Sequence, residues 1–335
     1  MPKKRQLLTI DDVQGAWVIM PTPAKPGADD WRMEDTVDLD ETARVVNALI
    51  DAGVDAVMSL GTLGECSTLT LEEKKKFMAT LIETARGRVP VFVGTTTLNT
   101  RDTIRETRYA ADLGADGTML GLPMWCAADT AVAVRFYQDV AAACPDMAIC
   151  VYANHEAFKF DYPARFWAQV ADIPQIVAAK YMGIGTLLRD MAASRRRIRF
   201  LPINNDYYGA ARMAPEFCTA FWSGGAVCGP AVVTALRDEV KRAIQTGDWR
   251  RAQKITEATM RASATFFPPG GLKEFAMYNI GLEKARANAG GWMRAGPCRP
   301  PYHVVPEPYL EGARKSGRQW AEMHQALSAG TFFQD

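Results

Sequence analysis

Lys180 ends an apolar run, Ile176-Val-Ala-Ala-Lys180, and Gly183 follows three places later. A strand buried on both faces has this composition. A lysine closing such a strand has two open roles. It pairs with a carboxylate or snorkels to the surface, or it is a desolvated amine with a lowered pKa that attacks a carbonyl and forms a Schiff base. Tyr152 closes a second apolar run that starts at Ala148. It is either a general acid and base or a core tyrosine with a satisfied hydroxyl. The turn Gly61-Thr62-Leu63-Gly64-Glu65 precedes a helix. Its backbone N–H groups suit a small carboxylate such as that of a 2-oxo acid, or it is only a connection between strand and helix. Glu65 reads as a residue that caps or orients that turn, with an acid role as the alternative, and His155 reads as a loop residue.

Other chemistries lack their residues. The three histidines, His155, His303 and His324, are far apart in sequence, and no His/Cys cluster appears, so no protein-bound catalytic metal is expected. There is no G-x-S-x-G elbow and no G-x-G-x-x-G after a strand. The net charge of +1 points to neither nucleic acid nor a membrane surface. The cluster Lys3-Lys4-Arg5 reads as a solvated tail. No apolar run is long enough to span a bilayer, and no secretory segment is read near Met1. The seven cysteines form no Cys-x-x-Cys pair, which suits reduced thiols in a cytoplasm.

The elements that must position these residues follow one rhythm. Strands are expected at 16–20, 55–60, 89–94, 117–120, 148–153, 176–180, 198–202 and 219–222. Helices are expected at 40–52, 70–86, 100–113, 130–143, 163–170, 185–193, 207–213 and 230–246. Thr70 with Glu73 forms a capping box at the second helix. Eight alternations in about 230 residues predict an α/β fold, the (β/α)8 TIM barrel. A doubly wound sheet is the alternative, though it normally has fewer units and a phosphate loop. After Gly247 the periodicity is helical only, at 249–266, 273–289 and 307–327, with a Pro-rich link from Gly296 to Tyr302. The expected organisation is therefore a barrel with its lead-in over 1–247 and a C-terminal helical region over 248–335, with Trp292 and Trp320 as packing anchors.

Barrel active sites lie at the carboxyl ends of the strands. Those ends carry Pro21-Thr22, the Gly61 turn, Thr95-Thr96-Thr97, Pro123-Met124-Trp125, Tyr152-Ala153-Asn154, Lys180, Asn204-Asn205-Asp206 and Trp222-Ser223-Gly224-Gly225. Lys180 is the only lysine among them.

The Gly61-Thr62-Leu63-Gly64-Glu65 turn, Tyr152 and Lys180, in this order and spacing, resemble the dihydrodipicolinate synthase and N-acetylneuraminate lyase family. The likeness covers about residues 15 to 290. It implies a lysine-dependent pyruvate aldolase on a (β/α)8 barrel, commonly a homotetramer, with no metal or organic cofactor. Further stretches are similar to hydratase-aldolases of polycyclic aromatic degradation, nearly end to end. They are Gly15-Ala-Trp-Val-Ile-Met-Pro-Thr-Pro23, Gly121-Leu-Pro-Met-Trp125, Tyr152-Ala-Asn-His-Glu-Ala-Phe-Lys-Phe160, Ala220-Phe-Trp-Ser-Gly224, Tyr278-Asn-Ile-Gly-Leu-Glu-Lys284 and Gly296-Pro-Cys-Arg-Pro-Pro-Tyr302.

The resemblance implies a role for each matching residue. Lys180 would be the Schiff-base lysine and Tyr152 the acid and base. Gly61, Thr62 and the Leu63 backbone would hold the pyruvyl carboxylate. Asn154, Trp125, Trp222, Ser223, Gly224 and Asn279 would line the substrate pocket. Leu63 departs from the family, which often has a hydroxyl there, and Ala157 stands where synthases place an arginine. Trp125 replaces a tyrosine that synthases donate across a dimer. Two tryptophans without that arginine favour a flat aromatic group. The implied partners are an aromatic 2-oxo acid, namely a trans-benzylidenepyruvate with an ortho hydroxyl or carboxyl, and pyruvate. The absence of a carboxylate at Asn204 and Asn205 favours the carboxyl. A sugar-acid or dihydrodipicolinate-type aldolase, or a non-catalytic barrel that binds a 2-oxo acid, are the alternatives.

Overall fold

Eight runs of the chain are apolar enough to be buried along their whole length, and each becomes a parallel strand. The computed structural model describes residues 6–334, so the basic cluster Lys3-Lys4-Arg5 lies outside the described residues. The order is β1 (Gly15–Met20), α1 (Leu39–Asp51), β2 (Ala56–Ser59), α2 (Leu71–Ala85), β3 (Val91–Val93), α3 (Thr100–Leu113), β4 (Gly117–Leu120), α4 (Thr130–Ala143), β5 (Ala148–Tyr152), α5 (His155–Phe158), α6 (Ala164–Val170), β6 (Ile176–Lys180), α7 (Ile184–Ala193), β7 (Arg199–Leu201), α8 (Asn204–Met213) and β8 (Ala220–Ser223). Four helices follow: α9 (Ala231–Thr246), α10 (Arg250–Ala264), α11 (Gly271–Gly290) and α12 (Glu307–Ser328). The strands are hydrogen-bonded in the order β7-β6-β5-β4-β3-β2-β1-β8, and a parallel bridge from Ile203 to Trp222 links the chain after β7 to β8. This is the (β/α)8 barrel predicted from the alternation.

The chain packs as two compact units. One holds Pro90–Trp222 with the described residues before Ala16; the other holds Ala16–Val89 and the residues from Ser223 onward. In the first unit, helix starts follow local chemistry. The Asn99 and Asp129 side chains accept from the N–H groups of Asp102 and Val132 and so cap α3 and α4. Gly114 ends α3 in the left-handed region at φ 93°. The core is aromatic: the Trp167 ring stacks on Tyr162 and meets Phe200 edge-on at 4.8 Å.

Two local expectations in this unit need correction. The helix after β7 begins at Asn204, not Tyr207. Its first turn, Asn204-Asn205-Asp206, is polar, so apolar periodicity does not reveal it. His155 is not in a loop; it opens the one-turn helix α5, which Asn154 caps through the N–H of Ala157.

In the second unit, β1 and β2 pair from Trp17–Ala56 to Met20–Ser59. The expected capping box of Thr70 and Glu73 starts α2. The C-terminal helices pack on a tryptophan. Trp320 is buried, its indole N–H donates to the Gly229 carbonyl at 3.0 Å, and its ring lies where a side chain at Gly225 would stand. Trp292 is only half-buried, under the Arg44 guanidinium. Trp320 is thus the anchor of the two. Replacing it by alanine (W320A) should lower the unfolding free energy in urea by about 3–5 kcal/mol. A loss below about 1 kcal/mol would mean that α12 is held elsewhere.

Candidate active site

Register decides whether Lys180 and Tyr152 can meet. β5 and β6 start in step at Ile149–Ile176, but the next pair is Cys150–Ala178, so β6 carries one extra residue, Val177. The slip brings Val151 level with Ala179 and Tyr152 level with Lys180. Without it, Tyr152 would face Ala179, and the side chains of Tyr152 and Lys180 would leave opposite faces of the sheet. A bulge next to a site commonly re-aims a side chain in this way.

Lys180 is 5 % exposed. Its amine nitrogen lies 3.6 Å from the ring centre of Trp222 and 4.3 Å from that of Tyr152. Burial keeps water from the amine, and the two rings stand within the reach of a cation–π contact. Trp222 cannot swing away freely, because its indole N–H donates to the Tyr181 carbonyl at 2.9 Å. Tyr181 is fixed in turn by its hydroxyl, which donates to the buried Asp190 carboxylate at 2.6 Å. Cys150, on β5, is chemically quiet: burial pushes its thiol up to about 12, against the lowering effect of Lys180.

Asn154 sets the hydroxyl of Tyr152. Its Oδ1 accepts from the Ala157 N–H as the cap of α5, so its Nδ2 must face the other way. That nitrogen donates to the Tyr152 oxygen at 3.2 Å. Phe158 of α5 meets the Tyr152 ring edge-on at 5.3 Å. Gly121 makes room for it, since a Cβ there would lie 1.9 Å from the Phe158 ring. The Tyr162 hydroxyl holds the Tyr152 carbonyl at 3.0 Å.

The second unit carries the turn after β2. Cys66 N–H returns to the Gly61 carbonyl, and Glu65 N–H to that of Thr62. The Thr22 hydroxyl donates to the Gly64 carbonyl at 2.7 Å. Gly64 has to be glycine, because a Cβ would lie 2.4 Å from the backbone nitrogen of Leu60. Leu60 and Glu65 flank the turn at φ 57° and 59°, a region that ordinary residues avoid. Glu65 is fully buried and paired with Lys284 at 2.6 Å and with Arg299. It therefore orients the turn rather than supplying an acid. In the same unit Leu63 and Ser223 are buried, and Gly224 leaves space that Leu63, Glu283 and Arg286 border. Among the described residues, Ser223 Oγ and Asn279 Oδ1 are buried without a hydrogen-bond partner.

Other strand-end residues are engaged in the framework. Thr95 bonds to Thr107 and Thr118, and the Thr96 hydroxyl accepts from Gly121 N–H. Asn204 Nδ2 donates to Asn205 Oδ1 at 2.6 Å within the first turn of α8. Trp125 is 77 % exposed, and its carbonyl accepts from Lys159. Two groups take roles that the sequence left unassigned. Asp206 accepts the Gly183 N–H, just past Lys180, and burial raises its pKa. Lys284 and Arg299 clasp Glu65, and only their place in the quoted stretches near the C-terminus hinted at them.

The profile of the Dihydrodipicolinate synthetase family matches residues 30–315. The chain belongs to this family. It is 63 % identical to a trans-O-hydroxybenzylidenepyruvate hydratase-aldolase of Sphingobium xenophagum, over 97 % of this chain and 99 % of that one. It is 40 % identical to a trans-2'-carboxybenzalpyruvate hydratase-aldolase of Nocardioides sp. (strain KP7), over 96 % and 97 %. A solved structure of PhdJ bound to a substrate intermediate superposes with a TM-score of 0.92 at 46 % identity, covering 96 % of this chain and 99 % of that one. Aldolases of the dihydrodipicolinate synthetase family use a catalytic lysine that forms a Schiff base with pyruvate, and no metal. Among the described residues no helix is long and apolar enough to cross a membrane, and no group of three or more His, Cys, Asp or Glu is placed to hold a metal ion.

The Glu65 cluster has a pH signature. Burial, the largest influence, lowers the Lys284 ammonium to about 8, against the raising effect of Glu65. An unfolded lysine keeps its proton to about 10.4. Between these values the unfolded chain binds more protons, so this group makes stability rise with pH. The unfolding free energy of the native protein should therefore climb more steeply from pH 8 to 10 than that of K284M. Equal slopes in urea titrations would show that Lys284 keeps its ordinary pKa.

Proposed function

We propose that the chain is a Schiff-base hydratase-aldolase that cleaves an ortho-substituted trans-benzylidenepyruvate to an aromatic aldehyde and pyruvate. The observation that carries this is the buried Lys180, level with Tyr152 through the β6 bulge and seated on Trp222. The names of the relatives that match nearly the whole chain support the substrate class. The higher identity to the hydroxyl-substrate enzyme favours an ortho hydroxyl. The contrary inference from Asn204 and Asn205 loses force, because Asp206 places a carboxylate in the same helical turn.

The neutral Lys180 amine adds to the ketone, the resulting hydroxyl takes up a proton and leaves as water, and an iminium is formed. Conjugation makes the benzylic carbon electrophilic, and a water adds there, losing a proton. The adjacent carbon takes up a proton, and Tyr152 carries protons in both steps. Tyr152 then takes the proton of the new hydroxyl, and the carbon–carbon bond breaks to release the aldehyde. The electron pair stays on the pyruvyl enamine, which is protonated and hydrolysed to free Lys180. Gly61, Thr62 and the Leu63 backbone hold the pyruvyl carboxylate. Asn154 orients Tyr152. Trp125, Trp222, Ser223, Gly224 and Asn279 line the substrate, and the unpartnered Ser223 and Asn279 oxygens suit contacts to substrate or the hydrating water. The lysine adduct needs no cofactor. A homotetramer, expected from the resemblance, and a cytoplasmic setting, suited to seven free thiols, complete the proposal.

Borohydride added with pyruvate should fix an adduct on Lys180, found by peptide mass spectrometry, and K180A should give none. Y152F should still trap pyruvate but lose about a hundredfold or more in the decay of benzylidenepyruvate absorbance. Trapping elsewhere would sink the lysine mechanism. Turnover of polar aldehydes alone would favour a sugar-acid aldolase, and binding without turnover a non-catalytic barrel.

A further inference from the structure

The turn after β2 is held in a conformation that its own residues resist. Two non-glycine residues in the left-handed region, Leu60 and Glu65, cost about 1–3 kcal/mol each and persist only when the surroundings over-determine them. The surroundings that do so come from the far end of the chain. Arg299 donates its backbone N–H to Glu65 Oε1 at 3.0 Å, and its guanidinium grips Glu65 Oε2. Lys284 holds the same oxygen and also donates to the Pro297 carbonyl at 2.8 Å.

Arg299 reaches further. Its Nε donates to the Thr36 hydroxyl at 2.6 Å, and its remaining nitrogen reaches the carbonyls of Pro23 and Thr36. Thr36 bonds to Glu73, and Glu73 is the reciprocal cap of Thr70 at the start of α2. One guanidinium thus clamps both ends of the segment from Glu65 to Thr70. A buried charge cluster is a poor way to gain stability, since well-packed apolar groups often do as well. It is a good way to fix geometry, because the planar guanidinium fork accepts few arrangements.

We propose that Glu65, Lys284 and Arg299 are positioning residues that hold the Gly61–Gly64 turn open for the substrate carboxylate. The inference rests on the assignment of that turn to the 2-oxo acid. The cluster touches no reacting atom; it acts on affinity through the backbone of Thr62 and Leu63.

E65Q would leave two buried cations without their carboxylate and is expected to fold poorly. R299K keeps a positive charge for Glu65 but cannot reach Thr36 and both carbonyls together. In R299K the pyruvate concentration for half-maximal borohydride trapping at Lys180 should rise about tenfold, as expected when a positioned group shifts slightly. The trapping rate at saturating pyruvate should stay within about threefold of the native value. An unchanged half-saturation in folded R299K, or a loss confined to the saturated rate, would overturn the clamp. Hydrogen exchange on the unaltered protein gives a second reading that needs no variant. Pyruvate should slow exchange in 61–69 and in 296–302 alike, and slowing in 61–69 alone would overturn the clamp. Failure of the unaltered protein to trap pyruvate would overturn the active-site assignment itself, so the two failures are distinguishable.

Discussion

One extra residue in β6 decides which side chains of β5 and β6 stand together. With Val177 unmatched, Tyr152 and Lys180 stand level and on one face; in regular pairing they would face apart. Everything around them preserves that phase. Trp222 bonds to the Tyr181 carbonyl, Tyr162 bonds to the Tyr152 carbonyl, and Phe158 fills the space that Gly121 leaves. These contacts grip backbone and ring, so neither the lysine nor the tyrosine has to hold itself in place. The bulge lies where β5 and β6 are fully buried, and slipping back would move every later pair of the strand.

A second constraint governs the turn after β2, and it is electrostatic. Glu65 sits at a positive φ and is fully buried, two features that oppose folding unless the carboxylate is matched. The match comes from Lys284 and Arg299, more than two hundred positions later in the chain. The C-terminal helices are therefore more than an added layer. Through α11 and the 296–302 segment they finish a turn that the strand and helix beside it leave strained.

Much of the fold was legible because its signals are local. Thr70 with Glu73 and the apolar run ending at Lys180 each specify an element boundary within a few residues. The candidate residues at the strand ends follow from that alternation. What could not be read depends on relations between distant parts. The β6 bulge leaves no mark in Ile176-Val-Ala-Ala-Lys180, which has neither glycine nor a break in its apolar pattern. The partners of Glu65 are remote in sequence, so its role stayed open between orienting a turn and acting as an acid. The polar first turn of α8 hid the helix start at Asn204, because helix starts are read from apolar spacing and this one has a hydrophilic opening.

Asn154 shows how a framework contact can become chemistry. An asparagine amide usually has two orientations that are hard to tell apart, but this one has a single option. Its oxygen is committed to the Ala157 N–H that starts α5, which leaves its nitrogen to face Tyr152. The phenol oxygen thus receives an N–H, and its own proton must point elsewhere. The one-turn helix α5, which carries no apolar period of its own, thus acts on Tyr152 through its cap: it fixes the side from which the phenol oxygen receives its hydrogen bond.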